Sequence, residues 1–324
     1  MTVAVLVNER QELTPIMATL LLGQRAAARG WDVVYIGVED LSWDEGLRGR
    51  GVRLRGDEGP EAAVARLKSA EATPVSLGEG DLLLLRTNPA RDPERMGQHR
   101  AALHLAVLAR DRGVIVLNDP ENLDRVGSKL FLLELTEDVR PRQVVTSSLD
   151  ELRAFADAED GPTVLKPLWG TRGIGVALVP KGDDARLAQV AGELLADGPV
   201  VAQGYIPEAP EGDTRVLMLE GKPIRVDGHV AAVRRVPAAG EFRSNVHLGG
   251  KAAEAIWDDR LQRVADVVGP VLADRGIFLA GLDVVGSRVV EVNVFAPGGF
   301  LNAAQFSGVD FLQPVLDALE ARRG

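Results

Sequence analysis

Toward the carboxyl end the chain reads Gly281-Leu282-Asp283-Val284-Val285-Gly286-Ser287-Arg288-Val289-Val290-Glu291-Val292-Asn293, two apolar strands around a turn. Side chains alternate along a strand, so Glu291 and Asn293 share one face while Val290, Val292 and Val294 share the other. A three-residue turn at 286–288 would set Val285 opposite Val289 and Asp283 opposite Glu291. Asp283, Glu291 and Asn293 would then form an all-oxygen cluster suited to Mg²⁺, or to Mn²⁺, that also meets nucleotide phosphates. A two-residue turn would put Asp283 on the opposite face, so the length of the turn separates a metal site from an ordinary solvated sheet face.

The basic residues carry a second signal. Of 37, 31 are arginine and only six are lysine, so each lysine is the more informative. Lys166 follows Val164-Leu165 in an apolar strand, where a charge must pair or face a cleft. Lys129 opens a helical segment after Gly127-Ser128. Between two strands lies Gly170-Thr171-Arg172-Gly173-Ile174-Gly175, a hairpin tip rather than the strand–loop–helix of a Walker or Rossmann phosphate loop. Two ammonium groups and flexible backbone amides suit an anionic nucleotide. Arg215, Arg235 and Arg243, the last with Asn245, stand in strands and loops leading to the acidic hairpin. Arg234 beside Arg235 is costly unless one of them faces an anion.

The elements that must position these groups follow from periodicity. Strand Thr2–Val7, helix 16–29 and strand Trp31–Ile36 make a βαβ start, and Asp81–Arg86 is a buried strand with Arg86 at its carboxyl end. A helix at 96–112 and strand 114–117 complete a Rossmann-like parallel-sheet domain over 1–121. A second unit, 122–199, holds a helix at 126–135, strands at 142–145, 163–167 and 176–179, and a helix at 149–157. A third unit, 200–324, holds strand 200–203, hairpins at 214–226 and 278–294, and helices at 256–275 and 311–321. The fold class is α/β, becoming α+β after the first domain.

Composition excludes several alternatives. With no cysteine there is no disulfide framework, thiolate nucleophile or zinc ribbon. The net charge of −10 argues against a nucleic-acid partner. No apolar run approaches the ~20 residues of a membrane helix, and Glu9 arrives too early for a signal peptide. A cytoplasmic protein without a membrane partner is expected.

Lys129, Leu165-Lys166-Pro167, the glycine tip, Gln203-Gly204-Tyr205-Ile206, Asp213-Thr214-Arg215-Val216, Arg235-Val236-Pro237, Gly240-Glu241-Phe242-Arg243-Ser244-Asn245, Gly249-Gly250 and the acidic hairpin, in this order, resemble the ATP-grasp superfamily. Within it the chain is most similar to the bacterial glutathione synthetase family. The resemblance implies a Rossmann-like domain followed by a two-part ATP-grasp fold, and an ATP-dependent carboxylate–amine ligase working through an acyl phosphate. It implies that Lys129, Lys166 and the tip glycines Gly170, Gly173 and Gly175 hold ATP phosphates, that Gln203, Gly204, Tyr205 and Ile206 meet adenine, and that Asp213 takes the ribose. Arg215 and Arg235 would face the transferred phosphoryl group. Arg86, Arg243, Asn245, Gly249 and Gly250 would bind a small carboxylate substrate, an amino acid or γ-glutamyl peptide, that condenses with an amine. Asp283, Glu291 and Asn293 would hold the metal, and the enzyme would be a homo-oligomer, dimer or tetramer.

The chain departs from that family at two places. Its first loop reads Asn8-Glu9-Arg10 and Leu13-Thr14-Pro15 instead of Asp and Lys-Asp-Ser-type residues. After Asn293 it has Phe295-Ala296-Pro297-Gly298-Gly299-Phe300 in place of Thr-Ser-Pro-Thr. Two other functions remain compatible with the pattern: a Mg-ATP-binding sensor or scaffold without turnover, and a nicotinamide-dependent oxidoreductase built on the first domain.

Overall fold

The computed structural model describes residues 1–170, 173–238, 241 and 249–322. The amino-terminal part contains β1 (Thr2–Val7), α1 (Ala18–Ala28), β2 (Asp32–Trp43), β3 (Leu47–Arg53), α2 (Pro60–Ser69), β4 (Thr73–Leu77), β5 (Leu82–Leu85), α3 (Met96–Arg110) and β6 (Ile115–Leu117). Its sheet has the order β4-β3-β2-β1-β5-β6. β2, β1, β5 and β6 run parallel, as their continuous apolar runs require. β3 and β4 add an antiparallel edge that the sequence reading did not anticipate. β3 alternates buried and exposed positions over 47–51 and then buries Val52 on the other face.

The middle part contains α4 (Leu123–Gly127), a 3₁₀ turn (Lys129–Glu134), β7 (Gln143–Thr146), α5 (Leu149–Ala158), β8 (Thr163–Pro167), β9 (Ala177–Val179), α6 (Asp184–Leu195) and β10 (Val200–Gly204). The helix expected over 126–135 is thus two short pieces broken at Ser128, whose hydroxyl accepts the Leu130 N–H at 3.2 Å. The antiparallel sheet runs β7-β10-β8-β9, so it continues to Gly204, beyond the expected boundary at 199. Its own core includes Leu152, Phe155, Leu165, Leu187 and Ala202. Alternation along β8 buries Leu165 in that core and turns Val164 and Lys166 to the other face.

The last part contains β11 (Asp213–Leu219), β12 (Lys222–Pro223), β13 (Arg225–Val226), β14 (His229–Val230), β15 (Ala232–Val236), β16 (Lys251–Glu254), α7 (Asp259–Asp274), β17 (Leu279–Val285), β18 (Arg288–Asn293), α8 (Phe300–Ser307) and α9 (Leu312–Glu320). Its main sheet is antiparallel, in the order β16-β15-β11-β17-β18. The β17–β18 turn is the two-residue one, with Val285 opposite Arg288 and Val284 opposite Val289. That register alone would set Asp283 against Val290. The ladder shifts by one residue there, and Asp283 faces Glu291 after all. Val290 is the extra residue of a β-bulge. It lines a cavity beside Glu291, while Val289, Val292 and Val294 fill the core face, so the expected placement of Val290 is corrected.

The amino- and carboxyl-terminal parts share their cores. Leu6, Leu83 and Leu85 pack in one cluster with Leu282, Val292 and Val294, and Val3 and Val5 in another with Leu217, Phe278 and Leu312. At the junction, buried Asn118 donates to the carbonyls of Leu279 (3.0 Å) and Val294 (2.7 Å) and accepts the Leu279 N–H at 2.8 Å. No helix among the described residues is long and apolar enough to cross a membrane.

Candidate active site

A cavity of about 130 Å³ lies between the middle sheet and the β17–β18 hairpin. Lys129, Lys166, Gly170, Gly173, Gln203, Gly204, Tyr205, Ile206, Asp213, Arg235, Asp283 and Glu291 all line it, so most of the residues expected at the nucleotide and metal converge. Val164, Val285 and Val290 supply apolar wall. Lys166 Nζ donates to Gln203 Oε1 at 2.5 Å, and Gln203 Nε2 donates to Gln143 Oε1 at 2.6 Å. The Gln203 side chain therefore orients Lys166, and Gln143, which nothing in the sequence singled out, orients Gln203. Lys129 Nζ lies 3.5 Å from the Gly170 carbonyl at the glycine tip.

Burial pushes the Lys166 ammonium down to about 8, against the opposing pull of Glu291. Lys129 is also lowered by burial. Glu291 is raised by burial and then by the neighbouring Asp283. Two cations lowered by burial and one carboxylate raised by it describe a site short of an anion and of a cation at once. Nucleotide phosphate and a divalent ion would supply both.

Asp283 is the electrostatic hub. Arg215 clamps it through Nε to Oδ1 and Nη2 to Oδ2 (2.8 Å), and Arg235 Nη2 reaches Oδ2 at 2.8 Å. Arg235 also forms a bidentate pair with Asp213, at 2.6 and 2.7 Å. Burial raises Asp283, but the two guanidinium groups outweigh it and hold the carboxyl well below the usual range. Asp213 is raised by burial and by Asp283. Burial would lower Arg235, yet Asp283 and Asp213 together raise it. Gly281 permits the clamp, since a Cβ there would come 2.9 Å from Arg215 Cδ.

The expected metal ligands form a set of two carboxylates and one amide. Among the described residues no group of three His, Cys, Asp or Glu gathers at ligand spacing. Asn293 Nδ2 donates to Asp283 Oδ2 at 3.2 Å, while Glu291 has no hydrogen bond to a described residue. The donor set fits a hard cation that takes few protein oxygens and completes its shell with phosphate and water, as Mg²⁺ does.

A larger cleft of about 480 Å³ adjoins the first, and Gly170 and Glu291 line both. Arg215 and Asn293 stand at its inner end. Its other walls come from three distant segments: Asn88 to Arg100 of the amino-terminal part, Asp124 and Gly127 of α4, and Phe295 to Pro297 after β18, with Trp169 alongside. The sequence reading missed Asn88, Arg100, Asp124 and Trp169, because only the tertiary fold brings them to one surface. Phe295 and Pro297 fall within the stretch that departs from the family pattern.

Several expected residues lie elsewhere. Arg86 is buried behind the cleft wall, donating to Thr19 Oγ1 (3.2 Å) and the Pro297 carbonyl (3.3 Å), and lines neither cavity. Burial lowers its pKa to about 10. It props the Pro297 segment, which lines the larger cleft. Gly175 packs against Pro167 outside both linings, and Gly249 and Gly250 are also absent from them. Arg243 and Asn245 lie outside the described residues.

Two sheets enclosing a lysine-lined cavity, opened onto a second cleft by a carboxylate hairpin, define an ATP-grasp enzyme, an ADP-forming carbon–nitrogen ligase. Residues 1–124 match the family model for the prokaryotic glutathione synthetase N-terminal domain, and residues 128–308 that for its ATP-grasp domain. The chain belongs to the prokaryotic glutathione synthetase family. It is 30% identical to glutathione synthetase of Agrobacterium fabrum over 94% of this chain and 92% of that one. It is 32% identical to that of Pseudomonas syringae pv. tomato over 95% and 93%. Among solved structures it resembles D-cycloserine synthetase DcsG, with a TM-score of 0.65, 17% identity and coverage of 98% and 99%. The family match of residues 1–124 removes the nicotinamide reading of the first domain. The protein joins a small carboxylate to an amine with ATP and a divalent metal.

Proposed function

We propose that the protein makes glutathione. ATP phosphorylates the free cysteinyl carboxylate of a γ-glutamyl dipeptide, forming an acyl phosphate and ADP, and the amine of glycine then displaces phosphate to form the amide. The observation that carries this reading is the meeting of the two cavities at Glu291 and Gly170, with Lys166 on one side and Arg215 on the other. A nucleotide in the first would point its phosphates at an acid in the second. Bringing two anions together needs fixed cations, and preorganised ones cost no rearrangement during the reaction.

In this reading Lys129, Lys166, Gly170 and Gly173 hold the phosphates, and the backbone of 203–206 meets adenine. Asp213 takes the ribose while anchoring Arg235. Arg215 and Arg235 face the transferred phosphoryl group, their charges kept in place by Asp283. Glu291, Asn293 and Asp283 hold Mg²⁺, or Mn²⁺, which when bound neutralises developing phosphate charge. Arg243, Asn245, Gly249 and Gly250 belong to the acid's binding segment, and the tip at 170–175 shields the acyl phosphate from water. The acidic protein works in the cytoplasm as a homo-oligomer, dimer or tetramer, on small molecules, without a nucleic-acid or membrane partner.

The test is a paired screen of carboxylates and amines read by ADP release, with mass spectrometry of the product. Lys166→Ala and Glu291→Ala abolish ADP release if the assignment holds. Full amine-dependent ADP production by either variant overturns the site assignment, and no tripeptide from γ-glutamylcysteine and glycine overturns the product.

A further inference from the structure

The outer end of the larger cleft holds two charges that the reaction does not use. Arg100 on α3 and Asp124 on α4 both line it. Neither side chain makes a hydrogen bond or ion pair with any described residue. Both are largely exposed; partial burial still raises the Asp124 carboxyl, and Arg100 is the first of the groups that oppose this, so the two are near enough to sense each other, yet no ion pair joins them. His99 also acts on Asp124, but its ring is buried and its Nε2 lies 3.0 Å from Asp92 Oδ2, turned away from the cleft. The contrast with the inner end is plain, since Arg215 there is locked onto Asp283.

Opposite charges that face one cavity and stay apart are complementary to a group carrying both signs within a bond or two. The α-ammonium and α-carboxylate of an amino acid form such a group. Charge-assisted hydrogen bonds to each would be stronger than neutral ones. Between this end and Glu291 the wall is apolar, with Met96, Phe295 and Trp169 suited to a short aliphatic or thiol-bearing stem.

We propose that Arg100 and Asp124 are the specificity pair for the zwitterionic head of the acid substrate, Arg100 taking its α-carboxylate and Asp124 its α-ammonium. The proposal rests on the ligase reading above. It also predicts a preference for γ-linkage. A γ-glutamyl residue keeps both α groups free, whereas an α-linked one spends its α-carboxylate in the amide. A site with both partners rejects analogues that leave one of them unpaired.

The experiment compares wild type, Arg100→Ala and Asp124→Asn on γ-glutamylcysteine, on 4-aminobutyrylcysteine, which lacks the α-carboxylate, and on glutarylcysteine, which lacks the α-ammonium. Each variant raises KM for γ-glutamylcysteine by roughly 10- to 100-fold, far more than it lowers kcat, and leaves the KM for ATP as in wild type. Arg100→Ala matches wild type on 4-aminobutyrylcysteine, and Asp124→Asn matches it on glutarylcysteine. Unchanged KM, or a loss that ignores which group is missing, overturns the pair. If wild type makes no ADP from γ-glutamylcysteine, the proposed function fails on its own. Calorimetric titration with γ-glutamylcysteine and free glutamate then decides the head-group site: binding lost in both variants sustains it, and no binding by wild type, or equal binding by all three proteins, overturns it.

Discussion

Asp283 and Glu291 face each other across the β17–β18 hairpin because Val290 is bulged out of the ladder between them and the turn. The two carboxylates differ sharply in circumstance: Asp283 is held by two guanidinium groups, whereas the Glu291 carboxylate is half-buried, raised in pKa and without a hydrogen bond to a described residue.

Glu291 should therefore weaken the ligand-free protein. Its folded pKa is raised, so the unfolded chain ionises first, and stability is lost as pH climbs from the unfolded carboxylate value through the folded one. Glu291→Gln is expected to melt at a higher temperature than wild type at pH 7.5, the gap closing near pH 4. ADP formation is expected to fall roughly 100-fold or more. Paired melts at the two pH values and an ADP assay check both.

Asp283→Asn should act in the opposite sense. It strips Arg215 and Arg235 of their shared counter-ion, and breaking a buried pair costs about 3–5 kcal/mol. Because the folded pKa of Asp283 is depressed, its contribution is present above the unfolded carboxylate value and lost as pH falls through the folded one. Urea unfolding at neutral pH should show the loss, and a wild-type midpoint would contradict the hub role.

Lys166, at about 8 in the ligand-free protein, should be pushed back up by phosphate. Nucleotide binding above that pH then takes up a proton, and ATP affinity falls by roughly tenfold per pH unit. Stability of the ligand-free protein runs the other way, rising between pH 8 and the unfolded lysine value, because the unfolded chain holds the proton longer. Calorimetry of ATP binding in buffers of different ionisation heat checks the uptake. An affinity flat to pH 9.5 would count against Lys166 as the phosphate partner.

Gly127 lets the Phe295 ring lie against α4, and a side chain there would collide with it. Gly127→Ala should push Phe295 within the cleft and raise the acid's KM roughly tenfold, an overpacking effect, with the KM for ATP unchanged. Initial-rate kinetics with each substrate varied in turn separate the two constants.

Much of this was legible in one dimension. β8 begins and ends where Thr-Val-Leu-Lys-Pro predicts, and Lys166 faces the smaller cavity because a lysine in an apolar strand has nowhere else to go. The opposition of Asp283 and Glu291 was foreseen through the wrong turn: a bulge adds the same single residue as a longer turn, and strand periodicity cannot tell the two apart. β3 escaped notice because arginine and glycine alternating in a half-exposed edge read as loop. α6 (Asp184–Leu195) was also missed, although Asp183 caps it by accepting the Arg186 N–H at 3.0 Å. Arg86 stood at the right end of its strand, but whether it reaches the cleft or props a wall depends on Pro297, more than two hundred residues away.

Asn118 bolts the end of β6 to both strands of the acidic hairpin, and shared cores weld the amino- and carboxyl-terminal parts behind it. Most of the larger cleft is walled by that block, through Asn88 to Arg100 and Phe295 to Pro297, and α4, Trp169 and Gly170 of the middle part close the rest. The middle sheet packs instead on a core of its own. The two cavities draw on largely different walls: Met96 or Phe295 could be exchanged to reshape the larger one without altering Lys166 or Gln203 in the smaller.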